Sequence, residues 1–291
     1  ETLAAPFSIA GEEIFISAGM GISFPSRKHL DPRDMLKDAH SALRRAKAKG
    51  PGQCELSDTE IHKKSLNRIK LERDLRRSLD AGDFRVFYQP IISLDTGELT
   101  GFEALLRWQH PDKGLLTPAN FIAVAEESEI INPLGFWVLS QACSQLSRWI
   151  SEFDLSPSLS VNVNLAGRQF KEDGLLEKIE SILEETNLQP GNVKLEITES
   201  MLMKDTNASI DSLKQLRDLG VDLCIDDFGT GYSSLSYLHK FPINTLKIDK
   251  SFVDLMDLDK QNFEIVRTII SLANNLGMNV VAEGVERANQ I

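Results

Sequence analysis

The sequence predicts an α/β protein: a TIM-type (β/α) barrel with one antiparallel strand, preceded by a small α+β N-terminal fragment. Three observations predict it. From Phe84 onward, apolar runs of period two alternate with apolar stripes of helical period, the beat of βα units around a mostly parallel sheet. Seven strand-like segments follow Phe84, close to the eight of such a barrel. An acid, an amide or a lysine ends nearly every one, at the pole where barrels of this kind place their chemistry.

Taken in order, residues 1–56 form the first predicted unit. A strand-like run from Glu13 to Ser23 contains a Gly break, and an acidic-to-basic helix follows from Asp31 to Lys49, ended by Gly50-Pro51-Gly52. So few elements cannot close a core. Ser57-Asp58-Thr59-Glu60 has capping-box spacing and opens a connector helix over 57–82. Ile61, Leu66, Ile69, Leu71, Leu75 and Leu79 give that helix an apolar stripe, and Gly82 follows its end. Its Lys and Arg content reads as a solvated face, although a basic helix can also mark a membrane or polyanion contact.

The third predicted unit spans 83–291. Phe84–Ile92 reads as a strand, Thr96-Gly97 as a turn, and Leu99–Trp108 as its antiparallel neighbour. Helices over Pro118–Glu127 and Leu134–Ile150 lead to the strand Leu159–Asn164. A helix carrying Leu175, Ile179, Ile182 and Leu183 precedes the strand Val193–Thr198. Another, carrying Ile210, Leu213, Leu216 and Leu219 and stopped by Gly220, precedes the strand Val221–Asp227. A short helix near 233–239 precedes Thr245–Asp249. A longer one carrying Phe263, Val266, Ile269, Ile270 and Leu276 precedes Met278–Glu283.

Composition narrows the function. At 291 residues and 42% hydrophobic, the chain can bury one large core, or a large and a small one. A net charge of −11 argues against binding a nucleic-acid polymer through a basic surface. It leaves room for a small anionic ligand if metal ions intervene. Cys54, Cys143 and Cys224 are far apart and form no C-x-x-C pair, so reduced thiols and a cytoplasmic location are expected. No apolar run reaches the roughly 18 residues of a membrane span. No signal-peptide layout opens the sequence, although an upstream segment could tether the parent protein to a membrane.

The predicted strand ends carry Gln89, Glu103 with Arg107, Asn164, Glu196 with Glu199, Asp226 with Asp227, Lys247 with Asp249, and Glu283 with Glu286. Simple alternation points Asp226 and Asp227 to opposite sides of their strand. Carboxylates converging on one mouth repel one another, and divalent cations resolve the repulsion. Oxygen ligands without His or Cys select Mg²⁺, Mn²⁺ or Ca²⁺ over Zn²⁺. Adjacent aspartates that each serve a different ion suit a two-metal site for phosphate-ester hydrolysis, with ions about 3.5–4 Å apart. Lys247 and Arg107 would hold phosphate oxygens. The five histidines, His29, His40, His62, His110 and His239, stand singly and form no ligand cluster. Asp227-Phe228-Gly229 copies a kinase triplet, but no accompanying glycine-rich loop, V-A-I-K lysine or H-R-D loop is present.

From about Leu71 to Ile291 the sequence resembles the EAL-domain cyclic-di-GMP phosphodiesterases. The matching motifs are Tyr88-Gln89-Pro90-Ile91, Glu103-Ala104-Leu105-Leu106-Arg107-Trp108, Val163-Asn164-Leu165 and Glu196-Ile197-Thr198-Glu199. Asp226-Asp227-Phe228-Gly229-Thr230-Gly231, Lys247-Ile248-Asp249 and Glu283-Gly284-Val285-Glu286 continue the series. The resemblance implies linearisation of cyclic-di-GMP to pGpG with Mg²⁺ or Mn²⁺, while Ca²⁺ binds without supporting turnover. It implies Glu103, Asn164, Glu196 and Asp226 as ligands of one metal and Asp227 as a ligand of the second. Glu283 would hold a water at the metals, and Lys247 would orient or activate the attacking water. Gln89, Leu105, Arg107 and Asp249 are implied to bind substrate, and Glu286 to support the site. Glu199 would anchor the loop 227–234, through which the family links a homodimer to metal occupancy.

Residues 1–56 resemble the C-terminal portion of a GGDEF (diguanylate cyclase) domain through Ser17-Ala18-Gly19-Met20-Gly21 and Ala39–Lys47. His40 replaces a common Asp and Arg44 a common Tyr, and the GGDEF loop itself is absent. In the barrel, Ala166 replaces the serine of the N-x-S motif. The family's final strand and its Gln-Gly-Tyr segment do not follow Ile291, so the resemblance implies a piece of a longer tandem protein with an upstream sensor. Two other functions stand beside catalysis: a non-catalytic cyclic-di-GMP receptor and a dimerising regulatory module.

Overall fold

A sheet with apolar residues along one face needs cover there, and the helical stripes after Phe84 supply it. The computed structural model describes residues 7–9, 12–14, 17–23, 31–57, 59–202, 206–229 and 238–291. The chain divides into two compact units, Glu1–Asp74 and Leu75–Ile291. The division falls inside the helix expected as a connector.

In the first unit, β1 (Phe7–Ile9) and β2 (Glu12–Ile14) pair antiparallel. β3 (Met20–Ile22), α1 (Pro32–Lys49) and β4 (Cys54–Leu56) form a βαβ unit, with β3 and β4 parallel. The run expected over Glu13–Ser23 is thus shared between β2 and β3, and Phe15 and Ile16 lie outside the described residues. Asp31 caps α1 by accepting from the Arg33 amide at 2.8 Å, and Gly50 ends it at φ +118°. Gly21 packs against this helix so closely that a Cβ there would stand 2.2 Å from the Ala39 carbonyl oxygen. α2 (Thr59–Ala81) follows; Leu75 on it is buried, whereas Ile69 of the predicted stripe is 64% exposed.

The second unit is built on one mixed sheet. Its strands are β5 (Phe84–Ile92), β6 (Leu99–His110), β7 (Gly114–Leu116), β8 (Ser160–Asn164), β9 (Val193–Thr198), β10 (Asp222–Phe228), β11 (Thr245–Ile248) and β12 (Asn279–Ala282). The order is β12-β11-β10-β9-β8-β6-β5, with β7 paired to β6. β5 and β7 lie antiparallel to β6, and the remaining neighbours are parallel. The seven predicted strands are all present; β7 is the addition, too short for alternation to reveal.

The helices among the described residues are α3 (Ile122–Glu127), α4 (Ile131–Glu152), α5 (Leu175–Thr186), α6 (Glu199–Leu202), α7 (Thr206–Asp218), α8 (Lys250–Val253) and α9 (Lys260–Asn275). The helix expected over Pro118–Glu127 is a 3-10 turn, Pro118–Asn120, followed by α3. Most of the helix expected near 233–239 lies outside the described residues. α6 and α8 are single turns at the carboxyl ends of β9 and β11, too short for a helical period to register.

The outward faces of β8 and β9 bury Val161, Val163, Val193, Leu195 and Ile197, and α4 buries Leu134, Val138, Leu139, Ala142 and Leu146. Phe84, Trp108 and Phe121 close one side of this layer, with ring centroids 5.7 Å apart for Phe84–Trp108 and 5.4 Å for Trp108–Phe121. The inward faces carry polar groups instead. Asn162 and Asn164 on β8, Glu196 on β9, and Cys224 and Asp226 on β10 follow the period of two, and the parallel registers set Asn164 beside Glu196 and Glu196 beside Cys224.

Candidate active site

Four carboxylates, from β6, β9, β10 and the end of β12, converge on one ammonium group on β11. Lys247, the third residue of β11, is 1% exposed, and its Nζ lies 2.9 Å from Glu196 Oε1, 3.0 Å from Asp226 Oδ1, 3.3 Å from Glu103 Oε2 and 2.5 Å from Glu283 Oε1. Glu283 follows β12 directly, and its amide donates to the Ile248 carbonyl at 3.1 Å. Burial opposes the charge on Lys247, but Glu196, Asp226, Glu103 and Glu283 together outweigh it and hold the ammonium protonated well above the usual lysine range. Burial raises the Glu196 carboxyl to about 7 even with Lys247 beside it, and Glu103 and Asp226 add to the rise. Burial likewise raises Glu283. One ammonium therefore does not neutralise four carboxylates.

β8 fixes the orientation of Glu196. Asn162 Nδ2 donates to Glu196 Oε1 at 2.9 Å and Asn164 Nδ2 to Oε2 at 3.2 Å, so neither carboxylate oxygen can rotate away. With its Nδ2 engaged, Asn164 keeps Oδ1 as the oxygen open to a cation. Asn162, 1% exposed, is absent from the predicted site. Its position two residues before Asn164 is the signal that could have found it, because the period of two puts both on one face.

The end of β10 departs from simple alternation. Its register with β11 shifts between Ile225 and Phe228, and Asp227 takes φ +54°, a left-handed conformation that aspartate tolerates better than most residues. The bulge turns Asp227 back toward its neighbour, correcting the expectation that the two aspartates point apart. Asp226, Asp227 and Glu283 each bring one oxygen within 4.8 Å of the others. Such an all-oxygen donor set fits a hard divalent cation. Burial, Asp226 and Asp249 all raise the Asp227 carboxyl, as expected of crowded anions.

The other predicted residues are distributed around this centre. Gln89 is exposed on β5 directly opposite Glu103 on β6, and Leu105 and Arg107 follow Glu103 on the same face. Arg107 Cζ lies 5.6 Å from the centroid of the Phe87 ring. Buried Glu199, at the start of α6, accepts from the Gly229 amide through Oε2 at 3.4 Å; residues 230–234 of the predicted anchored loop lie outside the described residues. Asp249 caps α8, accepting from the Ser251 amide at 2.9 Å and from the Ser251 hydroxyl. Glu286 is the outlier: it is exposed and pairs with Lys250 Nζ at 2.7 Å.

Residues 72–291 match the EAL domain, three quarters of the chain and the whole of this site. The chain belongs to the EAL domain family. This EAL domain chain is 36% identical over 288 residues to the bifunctional diguanylate cyclase/cyclic di-GMP phosphodiesterase MucR of Pseudomonas aeruginosa, covering 99% of this chain and 42% of that protein. It is 36% identical over 290 residues to the cyclic di-GMP phosphodiesterase PdeR of Escherichia coli, covering 99% and 43%. The chain thus spans less than half the length of these curated relatives. Among solved structures, the PaMucR phosphodiesterase in complex with c-di-GMP is 41% identical, with TM-score 0.72 over 76% of this chain and 89% of that one. The EAL enzyme Bd1971 with cAMP and cyclic-di-GMP bound is 35% identical, with TM-score 0.75 over 90% of this chain and 69% of that one. Likeness to these structures supports the α/β, TIM-like architecture. No described helix of the EAL domain chain is long and apolar enough to cross a membrane.

Proposed function

We propose that this chain is a divalent-metal-dependent phosphodiesterase that hydrolyses cyclic-di-GMP to linear pGpG in bacterial second-messenger signalling. The observation that carries the reading is the carboxylate cluster around Lys247, together with the Asp226–Asp227–Glu283 oxygen group beside it. The relatives named as cyclic di-GMP phosphodiesterases and the c-di-GMP complex of a similar domain support the choice of substrate.

Glu103, Asn164, Glu196 and Asp226 would hold one Mg²⁺ or Mn²⁺, and Asp227 the second. Bound there, the ions supply Lewis acidity to a phosphodiester and lower the pKa of water. Lys247 is a protonated donor in this arrangement, without a lone pair to accept a proton, so its part is to orient an oxygen of water or phosphate. Glu283, 25% exposed at the mouth, can accept a hydrogen bond from that water. Gln89, Leu105, Arg107 and Asp249 form the substrate side. Glu199 holds the turn after β10, and Glu286 acts through Lys250. Ca²⁺ fills the oxygen site without supporting turnover.

The same reading extends to the surroundings. We infer that residues 1–56 are the C-terminal part of a GGDEF-like domain, 57–82 the connector and 83–291 the phosphodiesterase domain; a match over 99% of this chain to a relative named as both diguanylate cyclase and cyclic di-GMP phosphodiesterase supports the pairing of the two kinds of domain. A homodimer through the 227–234 region and a cytoplasmic site of action complete the proposal. The test is turnover: with Mg²⁺ the chain is expected to convert cyclic-di-GMP to pGpG, and Glu103→Ala to abolish conversion. Full turnover in Glu103→Ala would refute the assignment.

A further inference from the structure

The outer strand β5 presents an aromatic ring, Phe87, and an arginine, Arg85, on the face that carries Gln89, and neither has been given a role in the site. Residues directly opposite in an antiparallel pair share a face. Phe87 stands opposite Leu105, and Arg85 opposite Arg107, on the face that carries Gln89 and Glu103. Phe87 is 47% exposed, a large apolar surface left open beside a polar site. Arg107 lies against the ring, 5.6 Å from its centroid, and its guanidinium donates only to the Leu106 carbonyl among the described residues, at 2.8 Å. Arg85 donates to the Gly82 and Phe84 carbonyls, each at 2.6 Å. Neither arginine has a carboxylate partner among the described residues.

This arrangement is unfavourable in isolation. Like charges directly opposite on a sheet repel, and an open aromatic face leaves apolar surface in water. A ligand that is flat, aromatic and anionic relieves both, because bases stack on aromatic faces and guanidinium groups hold phosphates. Resting on the cyclic-di-GMP reading above, we propose that Phe87 is the stacking platform for one guanine of the cyclic dinucleotide, flanked by Arg85 and Arg107 as its anion-holding pair. Phe87 thereby selects a purine dinucleotide over a phosphodiester lacking a base to stack.

The test compares Phe87→Ala, Phe87→Leu and Phe87→Trp in the full chain, with cyclic-di-GMP as the probe. Titration calorimetry in Ca²⁺ should show Kd raised about tenfold for Phe87→Ala and Phe87→Leu, and restored to within threefold for Phe87→Trp. In Mg²⁺ the two non-aromatic variants should raise KM far more than they lower kcat. The emission of Phe87→Trp should be quenched by cyclic-di-GMP beyond any change in the parent chain. Arg85→Gln should raise Kd and reduce its dependence on salt. A wild-type chain that binds and cleaves cyclic-di-GMP while Phe87→Ala keeps Kd within twofold overturns the platform alone. So does a Phe87→Leu variant as tight as wild type, which would reduce Phe87 to bulk. A wild-type chain that neither binds nor cleaves overturns the phosphodiesterase reading and the platform with it.

Discussion

Lys247 Nζ stands 2.9 Å from Glu196 Oε1, and the two side chains are 1% and 0% exposed. A pair so deeply buried gains little over an apolar pair of the same shape, but removing one partner leaves the other charge without compensation. Here the loss of Lys247 strands four carboxylates. Lys247→Met is therefore expected to destabilise the metal-free chain by about 3–5 kcal/mol, with Mg²⁺ recovering part of the loss. Thermal melts in EDTA and in Mg²⁺ check this, and equal melting of variant and wild type in EDTA would count against it.

Stability should depend on pH in a metal-dependent way. Burial raises Glu196 in the folded chain to about 7 from 4.5, so between these values the folded state keeps a proton that the unfolded state has released. That contribution is fully present below 4.5 and is lost as pH rises through 7; raised Glu283 and Asp227 act in the same sense. The metal-free chain is expected to lose stability from this source between pH 4.5 and 7. A cation favours the ionised carboxylates, so Mg²⁺ should raise the melting temperature more at pH 7 than at pH 5. Melts across the range with and without Mg²⁺ decide it.

Asp227 carries a backbone demand as well as a charge. At φ +54°, a β-branched residue is strained, whereas asparagine is tolerated. Asp227→Asn should fold like the parent and lose Mg²⁺-dependent turnover. Asp227→Val should in addition lose about 1–3 kcal/mol of stability. Denaturant unfolding beside an activity assay separates the two effects.

Asn162 acts on the site through Glu196. Asn162→Leu removes the 2.9 Å hydrogen bond to Oε1 while filling a similar volume. Groups that orient ligands from behind are worth about 10- to 100-fold in metal affinity, and a loss of that size is expected in Mn²⁺ titrations. Affinity unchanged within twofold would remove Asn162 from the machinery.

The thiols offer a check on the fold itself. Cys54 is exposed, whereas Cys143 and Cys224 are buried, and burial pushes the Cys143 thiol up to about 12. One thiol of the native chain should react rapidly with a disulfide reagent, and all three after denaturation.

The sheet is legible in the sequence because its strands repeat one pattern: apolar residues facing helices, polar residues facing the interior. That regularity also delivers Glu103, Asn164, Glu196 and Lys247, each placed by strand position alone. What escapes is local. Period two sends Asp226 and Asp227 apart, and only the bulge, with its positive φ, brings both beside Glu283. Asn162 escapes because an amide inside a strand looks like any polar residue until its partner on β9 is known. The single turns α6 and α8 hold too few residues to show a period, yet they set Glu199 and Asp249. Glu286 ends a plausible motif, but the loop after β12 turns it out to Lys250.

The most direct test of the central claim is chromatography of the nucleotides after the chain is incubated with excess cyclic-di-GMP. In Mg²⁺ or Mn²⁺, linear pGpG should accumulate over many turnovers and stop on addition of EDTA. Cyclic-di-GMP recovered intact from a chain that demonstrably binds it, with either metal present, would contradict the account.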